Sequence, residues 1–440
     1  MSNGRTKYLW LGMILIHFFF LLYQGIEERF FLVDSEDYIQ AAKNLWEQQL
    51  LYAGDMEEES LYAGNYSRRP PLYPLFLIPA QVLNESWFLS ILLQNLCSLL
   101  SFGLFIRIFQ LLYPEKELPK LIFIFLFLYP AQFIYANLIM SESLFQLLLM
   151  GSLFFLIRGE KGNSIRDFVL HALCLSAALL TKPVLYLFIP IHALYFLYRG
   201  LRKRQRALFL TALIPIFILF SYSWRNYVQT DYLHVSSVQN INLLQYPVTY
   251  VISQEMERVE ADSLIDQIHV EARKKGSFRE EQIYWSQSSK KILSKYPITF
   301  LKLQVRGMLN FFFDPGRFDL YHFFGVKTPG GEGLMATFGK EGYEGIWSYL
   351  SRQPIGILFL LFTVLLLNGL KFIGFLAFPF HKEIPLMHRI YIWLPVLYLA
   401  GVTGVMGASR FAMPIFFFLL LMLVPFLEKT HSLYLKIRSQ

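Results

Sequence analysis

The sequence predicts an all-α polytopic membrane protein, with about ten transmembrane helices and two long extracytoplasmic loops carrying amphipathic helices. Three observations predict it. Of 440 residues, 55% are hydrophobic and only 16% charged, where a soluble domain carries roughly a quarter charged residues. Apolar runs of about the length a bilayer requires recur from end to end. The short connections between them fall into two sets, and Lys and Arg concentrate in one set.

The first apolar run follows Arg5 and Lys7 and ends without a small-residue cleavage site, so it reads as an uncleaved anchor. Candidate spans are 8–25, 86–112, 120–139, 142–158, 168–181, 183–198, 207–223, 354–376, 389–406 and 411–427. The stretch 71–83 is apolar but short and holds Pro71, Pro74 and Pro79, which suits a re-entrant or interfacial element. With a cytoplasmic N-terminus, the connections 114–120, 159–167, 199–206 and 379–388 and the tail beyond 427 lie inside. These hold Lys161, Arg166, the basic run at 199–206, Lys429, Lys436 and Arg438, as the positive-inside rule requires.

The remaining connections share the outer face: long ones at 24–86 and 223–352, and short turns at 141–142, 181–183 and 407–411. Within the second long loop, 233–248 reads as polar and strand-like, and 253–295 as charged helix. The stretch 296–313 sets Lys302 and Arg306 among Leu, Val and Phe, as a helix lying on a membrane does. The glycine run at 328–333 lacks the Lys-Ser/Thr of a phosphate loop and reads as a flexible connection. Cys97 and Cys174 lie in apolar runs and read as small buried hydrophobes. The net charge of +8 suits an anionic membrane surface or anionic lipid substrate and does not by itself point to nucleic acid.

The chemistry-bearing stretch is 31–45, FLVDSEDYIQAAKNL. It puts Asp34, Glu36 and Asp37 where a membrane helix emerges, and Tyr38, Ala41, Ala42 and Leu45 then recur at helical spacing. Acids in a first helical turn are favoured by the macrodipole, and equally suit a general base at the membrane surface. The same predicted face gathers Arg68 and Arg69, Glu142, Lys182, Arg225 with Asn226, and Arg410. Snorkelling would explain Arg225 or Arg410 taken singly, and helix capping would explain Glu142. Shared by one face beside Asp34, they describe a site for an anionic, lipid-borne substrate with a general base. Chemically, an acid cluster beside phosphate also suits Mg²⁺ or Mn²⁺, although no ligand spacing demands one. His234, His269 and His322 lack metal-ligand spacing to another His or to Cys.

Taken in order, these motifs resemble a family. An acidic motif after the first span is followed by Arg-Pro-Pro-Leu-Tyr-Pro (69–74), a Ser-Glu turn (141–142), Thr-Lys-Pro (181–183), Trp-Arg-Asn (224–226) and Ser-Arg-Phe-x-x-Pro (409–414). The order is similar to that of superfamily C integral-membrane glycosyltransferases, near the lipid A aminoarabinose transferases and protein O-mannosyltransferases. The resemblance implies a polyprenyl-phosphate sugar donor, an extracytoplasmic acceptor and an inner-membrane enzyme whose active site faces outward. It implies that Asp34, with Tyr38 four residues on, is the base or its positioner. Ser35 stands where a second acid is usual, so Glu36 or Asp37 could supply that role. Glu142 matches the second acidic position. Arg69, Lys182, Arg225 and Arg410 match positions near the donor phosphate. The chain ends soon after its last span, where many relatives continue into a soluble domain, which shifts acceptor recognition to the long loop and favours a lipid or glycan acceptor over a protein. The rival reading is a transporter or flippase of lipid-linked sugars, using the same cations without chemistry.

Overall fold

The computed structural model describes residues 3–58, 60–83, 86–326, 334–351 and 354–438. Among them there is no strand; the fold is helical throughout. In chain order the helices of the first half are α1 (Asn3–Glu27), α2 (Ser35–Gln48), α3 (Leu72–Val82), α4 (Trp87–Leu112), α5 (Leu121–Phe127), α6 (Pro130–Ala136), α7 (Glu142–Gly162), α8 (Ile165–Thr181), α9 (Phe188–Lys203) and α10 (Arg206–Thr230). Then follow α11 (Val238–Leu243), α12 (Thr249–Glu255), α13 (Arg258–Arg273), α14 (Phe278–Lys295), α15 (Pro297–Phe313), α16 (Arg317–Phe324), α17 (Leu334–Ser351), α18 (Ile355–Ala377), α19 (Leu386–Thr403), α20 (Ser409–Ala412) and α21 (Phe416–Arg438).

Eight described helices are long and apolar enough to cross a membrane, two fewer than the sequence predicts. The two differences have local causes. The run 120–139 is broken into α5 and α6, because Pro130 cannot donate into a continuing helix and opens a new one. The run 168–181 becomes α8, whose 17 residues end at Thr181, where Lys182 is extended ahead of Pro183. At 1.5 Å per residue such a helix reaches only about 26 Å. A third correction concerns 233–248, which is not a strand. Its second half is helical, as α11 and a π-turn over Leu244–Val248. There Leu244, Val248, Ile252 and Trp285 bury together, and this packing overrides the strand-like composition. The amphipathic helices expected beyond it are present as α13, α14 and α15. The glycine run at 328–333 lies outside the described residues.

The last span forms the middle of the bundle. Phe416 through Val424 are buried without interruption, so α21 is apolar on every side because protein surrounds it. By contrast α1 and α18 are only 28% and 17% buried and lie at the periphery. Lys371 on α18 is a buried cation with aromatic neighbours. Its ammonium sits 4.1 Å from the ring centre of Tyr129 and 5.1 Å from that of Phe416, contacts that offset part of its desolvation.

One backbone crossing sets the turn after α19. A Cβ on Gly307 of α15 would lie 1.8 Å from the Gly404 carbonyl oxygen, and one on Gly407 would lie 1.8 Å from the Gly307 oxygen. Glycine is required because the obstacle is main chain on both sides. Gly307→Ala is expected to cost about 1–3 kcal/mol and to lower the apparent Tm in detergent. Gly356→Ala, with nothing within 4 Å of its new methyl, is the matched control and should be neutral or slightly stabilising.

Candidate active site

Two strands of backbone contact bring the acidic motif to the base of α7. The Ile139 amide donates to the Phe30 carbonyl at 2.8 Å. The Ser35 hydroxyl donates to the Ile139 carbonyl at 2.8 Å and accepts from the Leu32 amide at 2.8 Å. Ser35 is wholly buried, so this position, where an acid was the expectation, is a structural clasp. Three residues on, the Tyr38 hydroxyl meets the Ser141 hydroxyl at 3.2 Å. Asp34 thus stands at the head of α2 and beside Glu142, the first residue of α7.

The cations arrive from three other places. Arg69 follows the loop after α2 and precedes Pro70-Pro71, which start α3. Its guanidinium lies 4.7 Å from the Tyr38 ring centre. One nitrogen donates to Asp34 Oδ1 at 2.7 Å and to Asp37 Oδ2 at 2.7 Å, and Nε donates to Asp37 at 3.1 Å. Arg68 Nε reaches the same Asp37 oxygen at 2.8 Å. Arg410, on α20, donates to Asp34 Oδ2 at 2.5 Å and through Nε to Glu142 Oε1 at 2.7 Å. Lys182, in the break between α8 and the next helix, donates to Glu142 Oε1 at 2.8 Å. The result is one chain of alternating charge: Arg68, Asp37, Arg69, Asp34, Arg410, Glu142, Lys182. Four cations against three acids leave it at a formal +1.

The network is buried unevenly. Glu142 is fully buried, and its second oxygen, Oε2, has no hydrogen-bond partner. Asp34 retains 28% of its side-chain exposure. Burial alone would raise the Asp34 carboxyl, but Arg69 and Arg410 overcome it and hold the group well below the usual carboxylate range. Asp34 is therefore ionised at neutral pH, and its basicity is masked by two guanidinium groups.

The other residues expected at the site lie apart. Glu36 is exposed on α2 and outside the charge chain. Arg225 donates to the Tyr66 carbonyl and, at 3.1 Å, to that of Leu51, while Asn226 donates to the His234 and Val235 carbonyls at 3.2 and 3.1 Å. Arg225 braces the loop that leads into Arg68 and Arg69, and Asn226 braces the segment after α10. His234 joins that brace through Ser67, at 2.6 Å, and His322 meets the Phe31 carbonyl. Among the described residues no group of three His, Cys, Asp or Glu is arranged to hold a metal.

Sequence reading missed Asp314 and Asp319, in the Asp-Pro-Gly-Arg-Phe-Asp stretch that runs from the end of α15 into α16. Asp314 Oδ2 accepts from the Ser409 amide at 2.8 Å, and Asp319 accepts from the Ser409 and Tyr135 hydroxyls at 2.5 and 2.7 Å. The two carboxylates grip the residue just before Arg410. The available signal was two acids two and three residues either side of a glycine turn at the end of an amphipathic helix, which is weak. Burial pushes the Asp319 carboxyl up to about 6, against the opposing bonds from Ser409 and Tyr135 and with Asp314 adding to the rise. A folded-state value above the unfolded one means stability present at low pH and lost as pH rises through about 6. Asp319→Asn, which cannot ionise, is expected to lose on the order of 2–3 kcal/mol less than wild type between pH 4 and 7. Thermal unfolding of both proteins across that range checks it; parallel pH curves would contradict it.

No family model and no curated protein matches the chain. Its structural neighbours include two structures of ArnT from Cupriavidus metallidurans. The one bound to undecaprenyl phosphate is 14% identical, with a TM-score of 0.39 over 96% of this chain and 77% of that one. The apo structure is 12% identical, with a TM-score of 0.39 over 96% of this chain and 78% of that one. Both likenesses are distant.

Proposed function

We propose that the protein is an integral-membrane glycosyltransferase. It moves one sugar from a polyprenyl-phosphate donor to an acceptor at the extracytoplasmic boundary. The single observation that carries this reading is the convergence of Asp34, Asp37, Glu142, Arg69, Lys182 and Arg410, from five separate stretches of chain, into one alternating chain of charge. Buried ion pairs are poor devices for stability, since their desolvation offsets most of their attraction. A network of this size at the membrane boundary is more useful as a site. The order of motifs supports the polyprenyl-phosphate class, and the distribution of Lys and Arg supports a cytoplasmic N-terminus with the site outward in the inner membrane.

The chemistry is a single displacement. The donor phosphate competes with the carboxylates for Arg69, Arg410 and Lys182, and guanidinium groups suit its oxygens. Withdrawing Arg69 and Arg410 from Asp34 raises its basicity at the moment the donor is seated. Asp34 then takes the proton of the acceptor hydroxyl. The acceptor oxygen bonds to the anomeric carbon, the bond from that carbon to the phosphate oxygen breaks, and the electron pair leaves with polyprenyl phosphate. The cations stabilise the charge growing on that phosphate. Asp34 and Asp37 are both paired with guanidinium groups, so an unchanged rate in EDTA is expected.

The test is donor consumption by wild-type protein in nanodiscs supplied with labelled polyprenyl-phosphate sugars and a neutral glycolipid mixture. Release of free polyprenyl phosphate with label moving to acceptor supports the transferase. Intact donor that only changes leaflet in proteoliposomes would replace it with the transporter reading.

A further inference from the structure

Beside the charge chain lies a groove of about 460 Å³, between α10, the segment from Tyr232 to Asn240, and Tyr186. Three features define what it accepts. Its lining contains no Asp, Glu, Lys or Arg, although the neighbouring site is built almost wholly of them. Its polarity is graded along α10. Ile216, Leu219, Phe220 and Ser223 form one stripe at spacings of three, four and seven residues, about 10 Å long, and the first three make its apolar floor. Phe220 is 58% exposed beside the lipid-facing Phe217, so the floor opens toward the bilayer. At the outer end the lining turns to uncharged hydrogen-bonding groups. Gln239 donates to the Tyr186 hydroxyl at 2.9 Å and is itself exposed.

The groove is fastened to the site from behind. His234 bonds Ser67 at 2.6 Å, and the Ser236 hydroxyl donates to the Arg68 carbonyl at 3.3 Å. Tyr186 stands four residues after Lys182. The wall of the groove and the chain carrying Arg68 and Arg69 are therefore one unit.

We propose that this groove is the acceptor subsite, and that the acceptor is an uncharged, hydroxyl-bearing headgroup carried on an apolar chain. The assignment rests on the transferase reading. A phosphate would find no cation in the groove and would desolvate without compensation, so the donor phosphate belongs to the charge chain. An amphiphile placed with its chain along Ile216, Leu219 and Phe220 puts its head against Gln239 and Ser236, next to the Arg68–Arg69 segment. The size suits a ligand of one or two sugar rings with part of its chain, within the usual range for small-molecule sites.

Two probes test it in phosphatidylcholine nanodiscs: an alkyl β-glucoside with a diazirine in its tail, and the alkyl phosphate with the same tail. After photolysis, labelled peptides are mapped by mass spectrometry. The glucoside is expected to label 216–240 at least fivefold more than the phosphate does. Ser223→Trp, which fills the groove, and Gln239→Ala, which removes an exposed hydrogen-bonding group, should each lower that labelling at least threefold. Phe217→Trp on the lipid side should leave it unchanged. Equal labelling by both probes, or glucoside label spread evenly over all lipid-facing helices, would overturn the proposal. In turnover, Gln239→Ala should raise the acceptor KM with the donor KM unchanged; a rise in the donor KM instead would overturn it. The labelling needs no catalysis, so a groove that binds in a protein that transfers nothing would separate failure of the transferase reading from failure of this one.

Discussion

Asp34→Asn is expected to lower transfer by roughly 10²–10⁴-fold, the usual contribution of a positioned general base. The substitution keeps shape and two hydrogen-bonding atoms while removing the charge. Arg69 remains paired with Asp37 and Arg410 with Glu142, so neither cation is stranded and the protein should still be recovered from membranes at wild-type yield. The pH profile carries a second expectation. In the free enzyme Arg69 and Arg410 hold Asp34 well below the usual carboxylate range, so kcat/KM should show no acid limb from this group down to pH 4. With the donor phosphate drawing the two guanidinium groups away, the carboxyl rises, and the acid limb of kcat should appear at higher pH than that of kcat/KM. Measuring both limbs with labelled donor checks the order. Full activity in Asp34→Asn, with the loss found instead in Asp37→Asn, would move the base along the helix.

Arg410→Ala should do most damage to folding. Arg410 is the link between Asp34 and Glu142, and its removal leaves Glu142 buried with Lys182 as its remaining charge partner. Breaking a buried pair by deleting one partner typically costs about 3–5 kcal/mol, because the other charge stays buried. Low yield and a large fall in apparent Tm are expected. Arg410→Lys separates this effect from catalysis. It keeps the charge but loses the fork that holds two carboxylates at once, so it should fold better than Arg410→Ala. Its kcat/KM for donor should nevertheless fall about 10–100-fold, the scale of one or two charge-assisted hydrogen bonds. Arg225→Lys is the contrast. Arg225 braces the Leu51 and Tyr66 carbonyls outside the charge chain, so it should lower Tm with less effect on donor kcat/KM. Equal loss of donor kcat/KM in Arg225→Lys and Arg410→Lys would contradict the division drawn between them.

Much of the site is legible in the chain because ionisable residues are conspicuous where charge is expensive. Lys182 interrupts an apolar stretch, Glu142 and Arg410 stand at helix starts, and Asp34 follows a span; each is marked by its surroundings alone. The same logic named Arg225, which solves its burial differently, by giving its protons to backbone carbonyls. Burial explains why a charge needs a partner without saying which partner it takes. Asp314 and Asp319 went unread for the opposite reason. They lie at and just after the end of an amphipathic helix, where a carboxylate next to a Pro-Gly turn carries little cost and draws no notice, and only packing buries Asp319.

What the sequence determined by itself is the membrane class, most of the helical spans and the set of charges that cannot stay unpaired, because all three follow from local composition and the cost of desolvation. Tertiary structure alone decided the pairing: Arg410 with Asp34 and Glu142, Arg69 with Asp34 and Asp37, Ser409 between two carboxylates. These contacts join residues tens to hundreds of positions apart, and their energy depends on a geometry that exists only after the helices have packed.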